Sequence, residues 1–190
     1  MFIRSERLFL RPGWPEDWRE LLPLMDQDIV RDAAFAAWPY SAKDVDNFAA
    51  VPQEAAAPQE GHLPHFLVTL PGAEGPRLIG TCGLYGVTGD VELASWIARD
   101  HRGRGYATEA GRAVLALARA LGHQRVVSSH FADNPASGRV LGKIGFLPTG
   151  NVRPRFSRGR GEAVPAAEFA IDLTPQTLLD DDPDMSCRAA

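Results

Sequence analysis

The sequence predicts a mixed α/β domain, and three observations carry that reading. Residues 65–70, 77–85 and 90–98 are apolar, β-prone runs joined by short glycine-containing links, so they form consecutive antiparallel strands. The third run ends in the basic turn Arg102-Gly103-Arg104-Gly105, from which a helix reads on to Leu121. A strand at 125–131 follows, and the helical crossover makes it parallel to the strand at 90–98. Three antiparallel strands before the first crossover exclude a Rossmann arrangement.

Taken in order, Arg7 to Pro12 reads as a first strand, with Leu8 and Leu10 on one side and Phe9 on the other. Pro15 to Met25 reads as a helix with Trp18, Leu21, Leu22 and Met25 as its buried stripe. A short helix and loop span 26–37, and Ser41 with Asp44 caps a helix to about Ala50. The Ala, Pro, Gln and Gly content of 51–64 marks a mobile connection. Trp38 and Tyr40 are either core packing or the cap of a substrate cleft. Gly80 and Gly83 mark a bulge or a close backbone approach in their strand. Ala107, Ala110, Val114, Leu117 and Leu121 line one face of the main helix. Asn134 caps the next helix, Pro135 opens it and Gly145 ends it in a left-handed conformation. A loop carrying Arg153, Arg155, Arg158 and Arg160 leads to a last strand, 167–172. Residues 1–175 read as one domain and 176–190, with four aspartates, as an acidic flexible tail.

At 190 residues the chain suits one core rather than two. Its net charge of −4 argues against general nucleic-acid binding, which needs a basic face. The Ser157-Arg158-Gly159-Arg160-Gly161 segment is therefore read as a solvated hairpin loop in preference to an RNA-binding element. No run is long and apolar enough to span a membrane, and no signal-peptide core follows Met1, so a cytoplasmic protein is expected. Cys82 and Cys187 make neither a disulfide framework nor a metal motif, and the histidines have no metal-ligand spacing; no metal is expected.

The turn carries the chemistry. A strand that enters a glycine turn and then a helix leaves main-chain N–H groups unpaired at the positive end of the helix dipole. Gly103 and Gly105 permit positive φ there, while Arg102 and Arg104 add charge, which together make a site for a phosphate or diphosphate. The turn matches neither the NTPase phosphate loop nor the dinucleotide glycine fingerprint.

What it does match is Arg-x-x-Gly-x-Ala, from Arg102 through Gly105 to Ala107. That motif resembles the acyl-coenzyme A loop of the GNAT N-acetyltransferases. Glu92-Leu93-Ala94-Ser95-Trp96-Ile97 before it, and Asn134-x-x-Ser137 with Lys143-Ile144-Gly145-Phe146 after it, extend the resemblance over most of 3–173. The wording Arg-Gly-Arg-Gly-Tyr-Ala-Thr-Glu-Ala is most similar to the Rim-type branch, which acetylates N-termini of ribosomal proteins. The resemblance implies the GNAT fold: a mixed, mostly antiparallel sheet of about six to seven strands, splayed between two parallel strands and flanked by helices.

It also implies acetyl-CoA as co-substrate, with the diphosphate on the amides of Arg102, Gly103, Arg104, Gly105, Tyr106 and Ala107. Pantetheine would pair with the backbone of Trp96, Ile97 and Ala98, and Asn134 would hold the arm of the cofactor unless it is only a helix cap. Glu92, on the strand face shared with Ala94 and Trp96, is the candidate general base; a carboxylate among apolar neighbours has a raised pKa. The alternative is an ordinary exposed strand carboxylate. The tyrosine that many relatives use as acid is missing, since Leu141 follows Val140. Ser137 is left as the candidate that hands a proton to the thiolate, or as a cap residue. Cys82 as an acyl-accepting nucleophile has no partner to depress its pKa.

The expected activity is direct acetyl transfer to a primary amine in a ternary complex, a protein or peptide N-terminus being favoured. The alternatives are a small amine or antibiotic as acceptor, or a non-catalytic coenzyme A sensor. Residues 33–64 and 150–165 would select the acceptor, with Asp44, Asp46, Glu54 and Glu60 able to attract a cation. No nucleic acid or membrane partner is expected, and the chain is read as a monomer or homodimer.

Overall fold

The computed structural model describes residues 1–32, 63–87 and 90–174. The expected helix at 41–50, Trp38, Tyr40, the acidic residues 44, 46, 54 and 60, and the tail lie outside the described residues. One mixed sheet runs through the rest. Its strands are β1 (Ile3–Arg4), β2 (Phe9–Arg11), β3 (His65–Leu70), β4 (Arg77–Val87), β5 (Asp90–Ile97), β6 (Arg125–Phe131), β7 (Leu147–Ser157) and β8 (Glu162–Asp172). They lie in the order β1-β2-β3-β4-β5-β6-β8-β7, eight strands instead of six to seven. All neighbours are antiparallel except β5 and β6, which are parallel as expected.

The two additional strands are β1 and β7. The stretch expected as an arginine-bearing loop is a long hairpin, β7 pairing with β8 from Leu147↔Ala170 to Ser157↔Glu162. Pro148, Gly150 and Pro154 mimic a loop in the sequence, yet β7 is the outermost strand, where a missing donor breaks no ladder. Pro165 gives its carbonyl to the Ala132 N–H, so its cross-strand partner Pro154 turns its nitrogen to the open edge.

The first helix is also different. In place of one helix at 15–25 there is a 3-10 turn (Pro15–Asp17), one α-turn, α1 (Trp18–Leu21), and a second 3-10 turn (Leu22–Leu24). Pro23 cannot donate within a helix and restrains Leu22 before it, so the α-form stops. Leu21 and Met25 are buried as expected, while Leu22 is half-buried. The next helix, α2 (Gln27–Asp32), inserts Ile29 and Val30.

The main helix, α3, spans Tyr106–Ala120, and α4 spans Pro135–Ile144. The buried face of α3 is Tyr106, Ala110, Gly111, Val114, Leu115 and Ala118. It is rotated from the expected stripe: Ala107 and Leu117 only flank the core, and Leu121 is 48% exposed. The cause is Gly111, where a Cβ would collide with the end of the Ile144 side chain, so the bare notch turns inward to seat α4. The main core joins Leu93 and Ile97 of β5 to α3 and α4 on one face of the sheet. On the other face Trp96 packs against two smaller clusters, Leu21-Leu67-Leu78 and Met25-Ile29-Val30. Gly80 permits a close approach within the sheet, because a Cβ there would strike the Trp96 carbonyl oxygen.

Candidate active site

The turn after β5 adopts the backbone that its glycines allow. Gly103 has φ 76° and Gly105 φ 82°, both in the left-handed region. Gly105 is the N-cap of α3 and supplies no side-chain cap, and the first helical bond is Glu109 N–H to the Gly105 carbonyl at 3.0 Å. The amides of Tyr106, Ala107 and Thr108 precede that bond and form the positive end of the helix. Arg102 departs from the expectation. Its N–H is bonded to the Arg99 carbonyl at 3.2 Å. Its side chain donates from Nε to the Ile97 carbonyl at 2.9 Å and lies 3.3 Å from Asp26. Arg102 is thus tied to the protein by both groups and is not a mobile charge.

The turn is braced from the N-terminal strands. Arg7 donates its N–H to Glu109 Oε1 at 2.7 Å, pairs with Oε2 at 2.8 Å, and reaches the Arg104 carbonyl at 3.1 Å. Ser5 adds a hydroxyl to Glu109 Oε1 at 2.7 Å. Burial works to raise the Glu109 carboxyl, but these hydrogen bonds and the Arg7 charge outweigh it and hold the group below its ordinary value.

Between β5 and β6 the sheet opens. Their pairing is confined to Glu92↔Val127, whereas β5 stays paired with β4 as far as Ile97↔Gly80. Strand alternation decides which main-chain groups face the gap. The Ala98 N–H is bonded to the Ile79 carbonyl at 2.8 Å, so Ala98, Trp96 and Ala94 face β4. Leu93, Ser95 and Ile97 face the gap, and the Leu93 carbonyl takes the Ser128 hydroxyl at 2.8 Å. Of the expected edge residues, then, Ile97 presents its backbone to the slot and Trp96 and Ala98 do not. Ser95, missed in the sequence, does.

A cavity of about 460 Å³ follows this gap, lined by the glycine turn, by Glu92 to Ile97, by Ser128 to Phe131, and by Asn134 and Ser137 of α4. Asp28, Asp32 and Arg155 close it from the other face. Asn134 is a helix cap: its Oδ1 accepts the Ser137 N–H at 3.3 Å. Its Nδ2 donates to Asp32 at 2.9 Å, so both ends of the amide are engaged. Ser137 is half-buried in the cavity wall, and its hydroxyl meets no hydrogen-bond partner among the described residues. Leu141, at the position of the missing tyrosine, is buried in the core.

Glu92 is 7% exposed, yet its surroundings are not apolar. The Arg155 guanidinium of β7 grips it in a fork, Nη1 on Oε1 and Nη2 on Oε2 at 3.0 Å. The Ser129 hydroxyl of β6 donates to Oε1 at 3.3 Å and accepts from Arg155 Nη1. Arg155 was legible only as one arginine of a loop; the alternation of Val152, Pro154 and Phe156 with Arg153, Arg155 and Ser157 was the signal for a strand. Arg160, expected in a solvated loop, is 14% exposed and pairs with Asp32 and Asp133 while lying over the Phe131 ring. Cys82 is fully buried, and burial pushes its thiol up to about 12, which removes the thiolate a nucleophile needs. Among the described residues no cluster of His, Cys, Asp or Glu is placed to hold a metal ion, and no helix is long and apolar enough to cross a membrane.

A sheet parted between two parallel strands, with a glycine turn and helix start at the end of one of them, defines an acyl-coenzyme A transferase site. The family described as the acetyltransferase (GNAT) domain matches residues 7–147, and the chain belongs to that family. It is an acetyl-CoA-dependent acetyltransferase acting on amines. Solved structures agree. An acetyltransferase of the GNAT family from Bacillus anthracis is 25% identical, with TM-score 0.74 over 91% of this chain and 99% of that one. RimL, a ribosomal L7/L12 α-N-protein acetyltransferase in complex with coenzyme A, is 15% identical, with TM-score 0.74 over 90% and 98%. The microcin C7 self-immunity acetyltransferase MccE, in complex with acetyl-CoA and AMP, is 15% identical, with TM-score 0.71 over 88% and 93%. These last two likenesses show the fold. No curated protein matches the sequence significantly.

Proposed function

We propose that the chain transfers acetyl from acetyl-CoA directly to the N-terminal amine of a protein or peptide. One observation carries this reading: Glu92 stands buried at the point where β5 and β6 part, at the head of a slot whose other end is the glycine turn. The cofactor's fit rests on the same features. Amides at the start of α3 suit a diphosphate, and the Ser95 main chain with the Ile97 N–H suits the pantetheine amides, the Ile97 carbonyl being held by Arg102. The amine nitrogen attacks the thioester carbonyl, the C–N bond forms and the C–S bond breaks. Glu92 receives the amine proton, and the Ser137 hydroxyl serves the departing sulfur. Asn134 meets the pantetheine arm by yielding its bond to Asp32. Residues 1–175 act as one unit, supported by the single sheet that runs through the described residues, and the setting is cytoplasmic.

The test is thiol release from acetyl-CoA with a panel of amines: hexapeptides beginning with alanine or serine, the same peptides with blocked N-termini, spermidine, and an aminoglycoside. The expected result is turnover of the free-ended peptides and a loss of about a hundredfold in kcat for Glu92→Gln. Turnover of spermidine or the aminoglycoside alone moves the acceptor to a small molecule. Coenzyme A binding without thiol release for any amine makes the chain a sensor and sinks the reading.

A further inference from the structure

The three groups that meet at the head of the slot come from three strands: Glu92 from β5, Ser129 from β6 and Arg155 from β7. β7 is not a neighbour of β5; two strands separate them in the sheet. Arg155 reaches across that distance to a carboxylate in the cavity wall. A forked guanidinium on a carboxylate fixes its plane as well as its charge.

The lone pairs can be counted. An ionised carboxylate offers about four acceptor directions, two on each oxygen. Oε1 takes Arg155 Nη1 and the Ser129 hydroxyl, and Oε2 takes Arg155 Nη2. Oε1 is filled. Among the described residues one direction is left, and it belongs to Oε2.

We propose that Arg155 is a positioning residue for the transfer: it orients Glu92 so that the Oε2 lone pair left open by the described residues receives the acceptor's N–H. This rests on the reading of Glu92 as the group that takes the amine proton. Arg155 itself touches no reacting atom. It acts through the carboxylate, and Ser129 completes the arrangement by filling the second direction on Oε1. The hairpin β7–β8 thereby contributes to the proton acceptor's geometry.

The experiment is a double-mutant cycle on the full chain, with Glu92→Gln, Arg155→Gln and the pair, using the amine of the panel that wild type turns over fastest. Coenzyme A binding, measured by calorimetry, reports that each variant holds its fold. For Arg155→Gln, kcat falls at least about tenfold while the acceptor KM stays within about threefold, because an orientation is lost and not a binding contact. The double variant is no slower than Glu92→Gln, since Arg155 has nothing left to orient. In Arg155→Ala, millimolar guanidinium restores part of kcat and urea, neutral and of like shape, does not. Arg155→Lys, a point charge without a fork, recovers less than guanidinium does in the alanine variant. An Arg155→Gln enzyme at wild-type kcat beside a crippled Glu92→Gln overturns this proposal alone, as does a double variant whose losses multiply. A Glu92→Gln enzyme at wild-type rate overturns the reading beneath it.

Discussion

Arg102 donates from Nε to the Ile97 carbonyl oxygen at 2.9 Å, so a cation of the glycine turn covers the main-chain acceptor nearest the open end of β5. One of the turn's two arginines is thus spent on the protein's own backbone and on Asp26, and the anion site is left to main-chain amides and the exposed Arg104.

Substitutions in the turn should separate these roles. Gly105→Ala places a Cβ at φ 82°, which costs about 1–2 kcal/mol for a left-handed residue and displaces the amides of α3. Its Kd for coenzyme A is expected to rise at least about tenfold. Arg102→Gln leaves those amides in place and shifts Kd by less than about threefold. Calorimetric titration checks both, and a larger loss for Arg102→Gln than for Gly105→Ala would return the charge to the phosphate.

Glu109 links the turn to the N-terminal strands, and its folded pKa lies below the ordinary 4.5. A depressed carboxyl stabilises the fold above the unfolded value, and the contribution is lost as pH falls through the folded value. Thermal melts are expected to decline from about pH 4.5 downward more steeply in wild type than in Glu109→Gln. At neutral pH that variant is destabilised by about 1 kcal/mol, since Arg7 is partly exposed. An unchanged acid limb would remove Glu109 from the account.

His65 gives an acid limb at higher pH. Burial lowers its pKa from 6.5 to about 4, so between those values the unfolded chain takes up a proton that the folded chain refuses. Stability therefore falls on acidification across that window, by on the order of 3 kcal/mol in all. Urea unfolding of wild type at pH 7, 5.5 and 4.5 shows the slope, and His65→Asn, with no imidazole to titrate, flattens it. Parallel curves for the two proteins contradict the assignment.

Two glycines at close contacts in the structure should differ in cost. Alanine at Gly80 drives a Cβ into the Trp96 carbonyl, which is rigid backbone, and is expected to destabilise by about 3 kcal/mol or more. Alanine at Gly111 meets the movable end of Ile144 and costs about 1 kcal/mol. Urea midpoints rank the pair, and the reverse order would refute the packing argument.

The stretch from β3 to α4 was legible because each element there is periodic and ends on a residue with one local meaning. Gly145 closes α4 at φ 114° and Asn134 opens it, both as the sequence implies. Pro15 to Met25 misled because apolar spacing outvoted Pro23, whose missing donor decides the local form. Residues 147–157 misled for the opposite reason: proline and glycine outvoted a period of two that an outer strand can keep. Glu92 was legible by type and strand face, but its partners were not. Arg155 and Ser129 come to it through register across four strands, and no local pattern encodes that. The face of α3 was displaced by a packing choice made at Gly111, where the absence of a side chain carries no hydrophobic signal.

Both margins of the sheet are blunted. β1 is two residues long, and on the far side Pro154 turns a nitrogen without hydrogen toward solvent. A visiting chain would find too little ladder at one rim and a missing rung at the other. Self-association by zippering strand to strand into ribbons is disfavoured, and a second copy would have to meet this one through side chains.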